Sequence, residues 1–165
     1  MDSVPQELKE GIHEATRSFL KRESGLLDRD NYEVTVSTAL SIDVSKRFAS
    51  PTYHVHAEYD KHGKKHKTLN GIGIRPDILI HHAGDDKANL LVIELKKGQN
   101  PDDDDLRKLT GMTDPKGEDG YRYTFGLFVG FSKNTNGKYN THLQWFSKGK
   151  KIDQEILNAD SGIPG

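Results

Sequence analysis

The sequence predicts one α/β domain in which a central mixed sheet is flanked by helices on both faces. Three observations lead there. Residues 4–22 place Val4, Leu8, Ile12, Ala15 and Phe19 at helical spacing, a single stripe to bury. Residues 90–95 form an apolar run without alternation, as a strand covered on both sides requires. A second helical pattern, opened by four aspartates, separates that run from the strand-like residues 121–131.

Taken in order, the first helix is interrupted at Ser24-Gly25, and residues 28–31 read as a turn. Tyr32, Val34 and Val36 then alternate with polar neighbours, which predicts a strand that residues 37–44 extend. Residues 52–59 alternate again, with Tyr53, Val55, Ala57 and Tyr59 on one side and His54, His56 and Glu58 on the other. Lys61, Lys64, Lys65 and Lys67, with His62 and His66, make a dense basic segment around a turn at Gly63. Such a cluster suits either a solvated hairpin tip or contact with a phosphate backbone. Residues 74–80 and 90–95 are two apolar runs joined by a turn-forming segment, a predicted hairpin. Asp102, Asp103, Asp104 and Asp105 stand where a helix N-terminus favours negative charge, before Leu106, Leu109 and Met112. Gly111, Pro115 and Gly117 keep that helix short. Residues 142–146 form a weaker last strand. The core then spans about residues 4–147, and residues 148–165 read as a polar tail in which Ile152, Ile156 and Leu157 suggest a short helix.

The 165 residues are enough for one real core and too few for two. With no cysteine, disulfides and thiolate metal sites are excluded, so a metal must be held by oxygen or imidazole. The acidic, proline-containing start and the lack of a long apolar run predict a cytoplasmic protein outside the membrane. The 24 basic and 25 acidic residues nearly cancel, so a polyanion would have to be bound by local clusters.

Two short signals carry chemistry. Arg75-Pro76-Asp77 opens the first strand of the central hairpin, and Glu94-Leu95-Lys96 closes the second. Positions i and i+2 of a strand share a face, so Glu94 and Lys96 project together. The hairpin returns Asp77 beside them. Charges at the edge of an apolar strand need a partner. A salt-bridge cluster is one solution. The other is a hard-cation site, since two carboxylates with water and a phosphate oxygen form the all-oxygen shell that Mg2+ or Mn2+ prefers.

Pro76-Asp77 followed by Glu94-Leu95-Lys96 on the next strand, within the order α-β-β-β-α-β, resembles the PD-(D/E)xK phosphodiesterase superfamily over about residues 4–132. The resemblance implies a restriction-endonuclease-like fold and a metal-dependent nuclease, an endonuclease acting on DNA. It makes Asp77, Glu94 and Lys96 the catalytic residues. Asp77, Glu94 and the backbone carbonyl of Leu95 would bind Mg2+ or Mn2+, and Lys96 would position or activate the attacking water. A glutamate of the first helix often joins such sites, and Glu14 is favoured over Glu7, with Glu10 on the opposite side. Lys108 on the following helix is the better candidate for touching substrate than Lys97 or Gln99, with Lys64 and Lys65 as further contacts. A chain of this size has no separate DNA-reading domain, so specificity would come from a homodimer, a larger complex or the substrate's shape. The rival is a catalytically silent module in which Asp77, Glu94 and Lys96 are a structural ion-pair cluster. A zinc site is the lesser alternative: His54 and His56, at i and i+2, share a strand face, whereas the adjacent His81 and His82 cannot and are poor joint ligands.

Overall fold

A computed structural model describes residues 2–29, 33–59, 61–62, 65–82 and 89–160. The chain runs α1 (Gln6–Glu23), a 3-10 turn (Ser24–Asp28), α2 (Glu33–Phe48), β1 (His54–Ala57), β2 (Lys61–His62), β3 (Lys65–His66), β4 (Thr68–Leu69), β5 (Ile72–Gly73), β6 (Ile78–His81), β7 (Leu91–Lys97), α3 (Asp103–Thr113), β8 (Phe125–Lys133), β9 (Tyr139–Ser147) and β10 (Lys150–Leu157). Six strands form one sheet in the order β1-β6-β7-β8-β9-β10, and β2-β3 and β4-β5 are separate two-stranded ladders. Every neighbour in the large sheet is antiparallel except β7 and β8, which are parallel and joined through α3. The sheet is therefore mixed but mostly antiparallel, with helices on both faces. Among the described residues no helix is long and apolar enough to cross a membrane.

Alternation divides the core between the two faces. Ile78, Ile80, Ile93, Leu95, Leu127 and Trp145 meet Leu8, Ile12 and Phe19 of α1 and Val36, Leu40 and Val44 of α2. Leu79, Val92, Phe128 and Phe146 meet Leu109 and Met112 of α3, with Tyr121 and Tyr123. The loop after β7 crosses close over β8, where a Cβ on Gly130 would lie 2.2 Å from the Gly98 carbonyl oxygen. Glycine at 130 is what allows that approach.

Four expectations need correction. The strand placed over residues 32–44 is helix α2 from Glu33 onward, and the turn predicted at 28–31 lies partly outside the described residues. Buried Val36, Leu40 and Val44 recur at helical spacing, and packing on α1 and the sheet overrides the β preference of Val and Ile. Second, residues 121–124 precede the strand, which begins at Phe125. Third, the segment with Ile152, Ile156 and Leu157 is strand β10 and not a helix. A register irregularity between Lys151 and Asp153 interrupts the period-2 pattern that would have marked it. Fourth, Tyr59 leaves the side of Val55. Glu58 adopts a left-handed backbone, φ +53°, which reverses the alternation and seats Tyr59 among the α3-face residues.

Candidate active site

The hairpin of β6 and β7 sets the centre. Ile78 pairs with Ile93 and Leu79 with Val92, so one further step of the register brings Asp77 opposite Glu94. Asp77 and Leu79 share a face, as do Val92, Glu94 and Lys96, and it is the face that α3 covers. The Leu95 N–H donates to Asp77 Oδ2 at 2.7 Å, tying the two strands together at the site.

Helix α3 is fixed above by a capping box. The Asp105 N–H donates to Asp102 Oδ1 at 2.8 Å, and the Asp102 N–H donates to Asp105 Oδ2 at 3.1 Å. One turn further along, Lys108 reaches down and its Nζ lies 3.0 Å from Glu94 Oε2. Lys96 goes elsewhere: its Nζ bonds Asp102 and lies 3.3 Å from Asp105 Oδ2. The lysine in contact with the central glutamate is thus Lys108, and Lys96 locks the end of β7 to the start of α3.

Burial makes this arrangement electrostatically tense. Glu94 is 1 % exposed, and its buried Oε1 has no hydrogen-bond partner among the described residues. Burial, then the charge of Asp77, pushes its carboxyl well above the usual carboxylate range, against the pull of Lys108. Asp77 is pushed up to about 6, first by burial and then by the charge of Glu58, although the Leu95 N–H works the other way. Burial also opposes the charge on Lys108, but Glu94 and Asp77 outweigh it and raise the pKa. For Lys96 burial is likewise outweighed, here by Asp102 and Asp105. Two carboxyls therefore face one ammonium in a nearly closed space, which leaves the pair short of one positive charge or one proton.

Comparison of the chain with family models, curated proteins and solved structures finds no match. The reading of the site rests on its own geometry.

Other expected residues fall as follows. Glu14 is not brought to the site: it lies exposed on α1, with Oε2 3.1 Å from Arg47 Nε. Glu7 and Glu10 are exposed as well. Lys65 is exposed on β3, and Lys64 lies outside the described residues. The Leu95 backbone enters the site through its N–H. The histidines gather on the same face at the other end of β6, where His56 Nδ1 and His81 Nε2 are 2.8 Å apart in a hydrogen bond and Tyr59 packs on both rings. Burial, with the charges of neighbouring histidines and Lys67, lowers His81 to about 4 and keeps it neutral. Among the described residues no three His, Asp or Glu side chains converge as a ready-made metal cage. A cavity of about 560 Å³ exists far along the chain from these motifs, between the end of α1 and β9-β10, lined by Leu20, Tyr139, Ile156 and Leu157 among others. It touches none of Asp77, Glu94 or Lys108.

Sequence reasoning missed Glu58 and its supports. The Glu58 N–H donates to the Asp77 carbonyl at 2.9 Å, while Ser37 Oγ donates to Glu58 Oε1 at 3.0 Å. Arg75 Nε sits 3.1 Å from Glu58 Oε2. The only hint in the sequence was the position of Glu58 on the polar side of β1. Its left-handed backbone costs about 1–2 kcal/mol, a strain that tertiary contacts must hold in place.

Proposed function

We propose that this protein is a divalent-metal-dependent nuclease of the PD-(D/E)xK type, hydrolysing phosphodiester bonds in DNA as a cytoplasmic endonuclease. The observation that carries the reading is the buried Glu94 carboxyl, one oxygen on Lys108 and the other without a donor among the described residues, beside an Asp77 carboxyl pushed up to about 6. A hard cation would remove that imbalance. The donor set fits Mg2+ or Mn2+: Mg2+ is commonly held by one or two carboxylates, keeping waters and substrate phosphate for its remaining positions. The succession of a helix, the antiparallel strands β1, β6 and β7, the helix α3 and the parallel strand β8 supports a restriction-endonuclease-like core.

In this reading Asp77 and Glu94 hold the cation, with the Leu95 carbonyl as a further oxygen. The cation, when bound, supplies charge to the scissile phosphate and lowers the pKa of a coordinated water. Lys108 holds Glu94 Oε2 and lies where it can also face a phosphate oxygen. Lys96 orients α3 through Asp102 and Asp105, and release from those acids would be needed for it to reach the water. A second reading is favoured by the same ion pairs: Lys108 with Glu94, and Lys96 with Asp102 and Asp105, form a structural network in a binding module without catalysis.

Incubation of supercoiled plasmid, linear duplex, single-stranded DNA and RNA with Mg2+ or Mn2+ separates the two. Metal-dependent cleavage that disappears in Asp77→Asn and Glu94→Gln is the expected result. No cleavage of any substrate, with no metal-induced rise in thermal stability, would leave the structural network as the account of these residues.

A further inference from the structure

A phosphodiester brought to Asp77 and Glu94 meets carboxylates first, and its own negative charge must be countered at the mouth of the site. Lys96 and Lys108 are both engaged with acids. Arg75, two residues before Asp77, differs from them: its side chain is 60 % exposed and, among the described residues, is held through Nε on Glu58.

The hold is a built one. Ser37, fully buried on α2, sets its hydroxyl 3.0 Å from one oxygen of Glu58 and 3.0 Å from the Val34 carbonyl, and the other Glu58 oxygen accepts from Arg75 Nε. The Glu58 backbone is itself bonded to the Asp77 carbonyl in a conformation that non-glycine residues rarely adopt. With Nε on Glu58, the guanidinium still has its end-on edge, one N–H from each terminal nitrogen on the side away from Nε, to offer a ligand. That edge matches two oxygens of a phosphate. An ordinary surface ion pair needs neither a buried serine nor a strained backbone to form.

We infer that Arg75, presented by the Ser37–Glu58 anchor, is a substrate-binding residue that grips a nucleic-acid phosphate beside Asp77 and Glu94. The inference rests on the nuclease reading of that site. It makes Glu58 a positioning residue for Arg75, besides its contacts with Asp77.

The test is binding of fluorescein-labelled duplex and single-stranded oligonucleotides in Ca2+, alongside Mn2+ binding by the protein alone and cleavage in Mg2+. Arg75→Ala is expected to weaken oligonucleotide binding about tenfold to a hundredfold, as loss of a charge-assisted paired contact does. Arg75→Lys should recover only part of it, because an ammonium cannot form the fork, and Glu58→Gln should weaken binding less than Arg75→Ala. Arg75→Ala should keep its fold by circular dichroism and still bind Mn2+, since the side chain is exposed and lies outside the carboxyl pair. Equal oligonucleotide binding by wild type and Arg75→Ala, with cleavage intact, would overturn the role of Arg75 and leave the nuclease reading standing. Full recovery by Arg75→Lys would overturn the fork. A wild type that neither binds nor cleaves any oligonucleotide would remove both readings together.

Discussion

The sheet presents two faces of unlike chemistry. Under α1 and α2 the buried groups include Leu8, Ile12, Phe19, Leu40, Ile80, Ile93 and Trp145, and the buried acid Asp43 has Arg22 at 2.5 Å. Under α3, Leu79, Val92, Leu109 and Phe128 share their space with Glu94, Asp105, His81 and Lys67, all buried, and with Asp77. An apolar face is stabilised simply by leaving water. A face holding ionisable groups gives up part of that stability, so it is the face where a ligand has something to add. The contrast teaches that this one sheet keeps its apolar packing on one side and its buried ionisable groups on the other.

The comparison can be broken most severely at Glu94 and Asp77. On the proposed nuclease reading, metal-dependent cleavage should fall about a thousandfold or more in either Asp77→Asn or Glu94→Gln, roughly 4 kcal/mol of barrier, with the fold intact by circular dichroism. On the other face, Phe19→Ala removes a ring with no exposure that lies 5.5 Å from Phe131, and should cost about 3–5 kcal/mol in denaturant unfolding while Mn2+ affinity is unchanged. A Phe19→Ala protein that loses metal binding as strongly as stability would show that the faces are not separable.

pH sharpens the contrast. Asp77 holds its proton more tightly folded than unfolded, so the stability linked to it is present at low pH and is lost as pH rises from 3.8 through about 6. At about 1.4 kcal/mol per pH unit the loss approaches roughly 3 kcal/mol. Metal-free Asp77→Asn, whose amide oxygen can still accept from Leu95, should therefore be more stable than the wild type at pH 8 and no more stable at pH 4. Mg2+ should close the gap by stabilising the wild type alone. His81 acts with the opposite sign: its pKa is lowered from 6.5 to about 4, so its contribution is present above 6.5 and is lost as pH falls toward 4. His81→Phe should flatten that acid limb of the stability profile and leave the alkaline limb unchanged. The smallest effect belongs to the helix cap. Asp102→Ala should cost about 1 kcal/mol, detectable as a lower thermal midpoint, and leave Lys96 on Asp105 alone.

Much of the site's frame was legible because it is local. Asp77 near a strand start and Glu94 on an apolar run are facts of spacing, and the hairpin register follows from two runs and a turn. The cap at Asp102 was legible in the four aspartates. The partner of Glu94 was not: Lys96 is the neighbour in sequence, yet Lys108 arrives over the face on α3 while Asp102 and Asp105 draw Lys96 aside. Glu58 was hidden for another reason. A left-handed residue at the end of an otherwise alternating segment leaves no periodic trace.

By itself the sequence determined the α/β class, the α1 stripe, the central hairpin, the short α3 and the pairing of two acids across β6 and β7. Each depends on residues within one element or across one turn, where period and capping decide. Only the tertiary structure decided that residues 33–48 are helix, that residues 150–157 are the sixth strand of the sheet, and which cation meets which acid. Those outcomes depend on contacts between segments far apart in the chain, where burial against a neighbouring element outweighs the preference of any single residue.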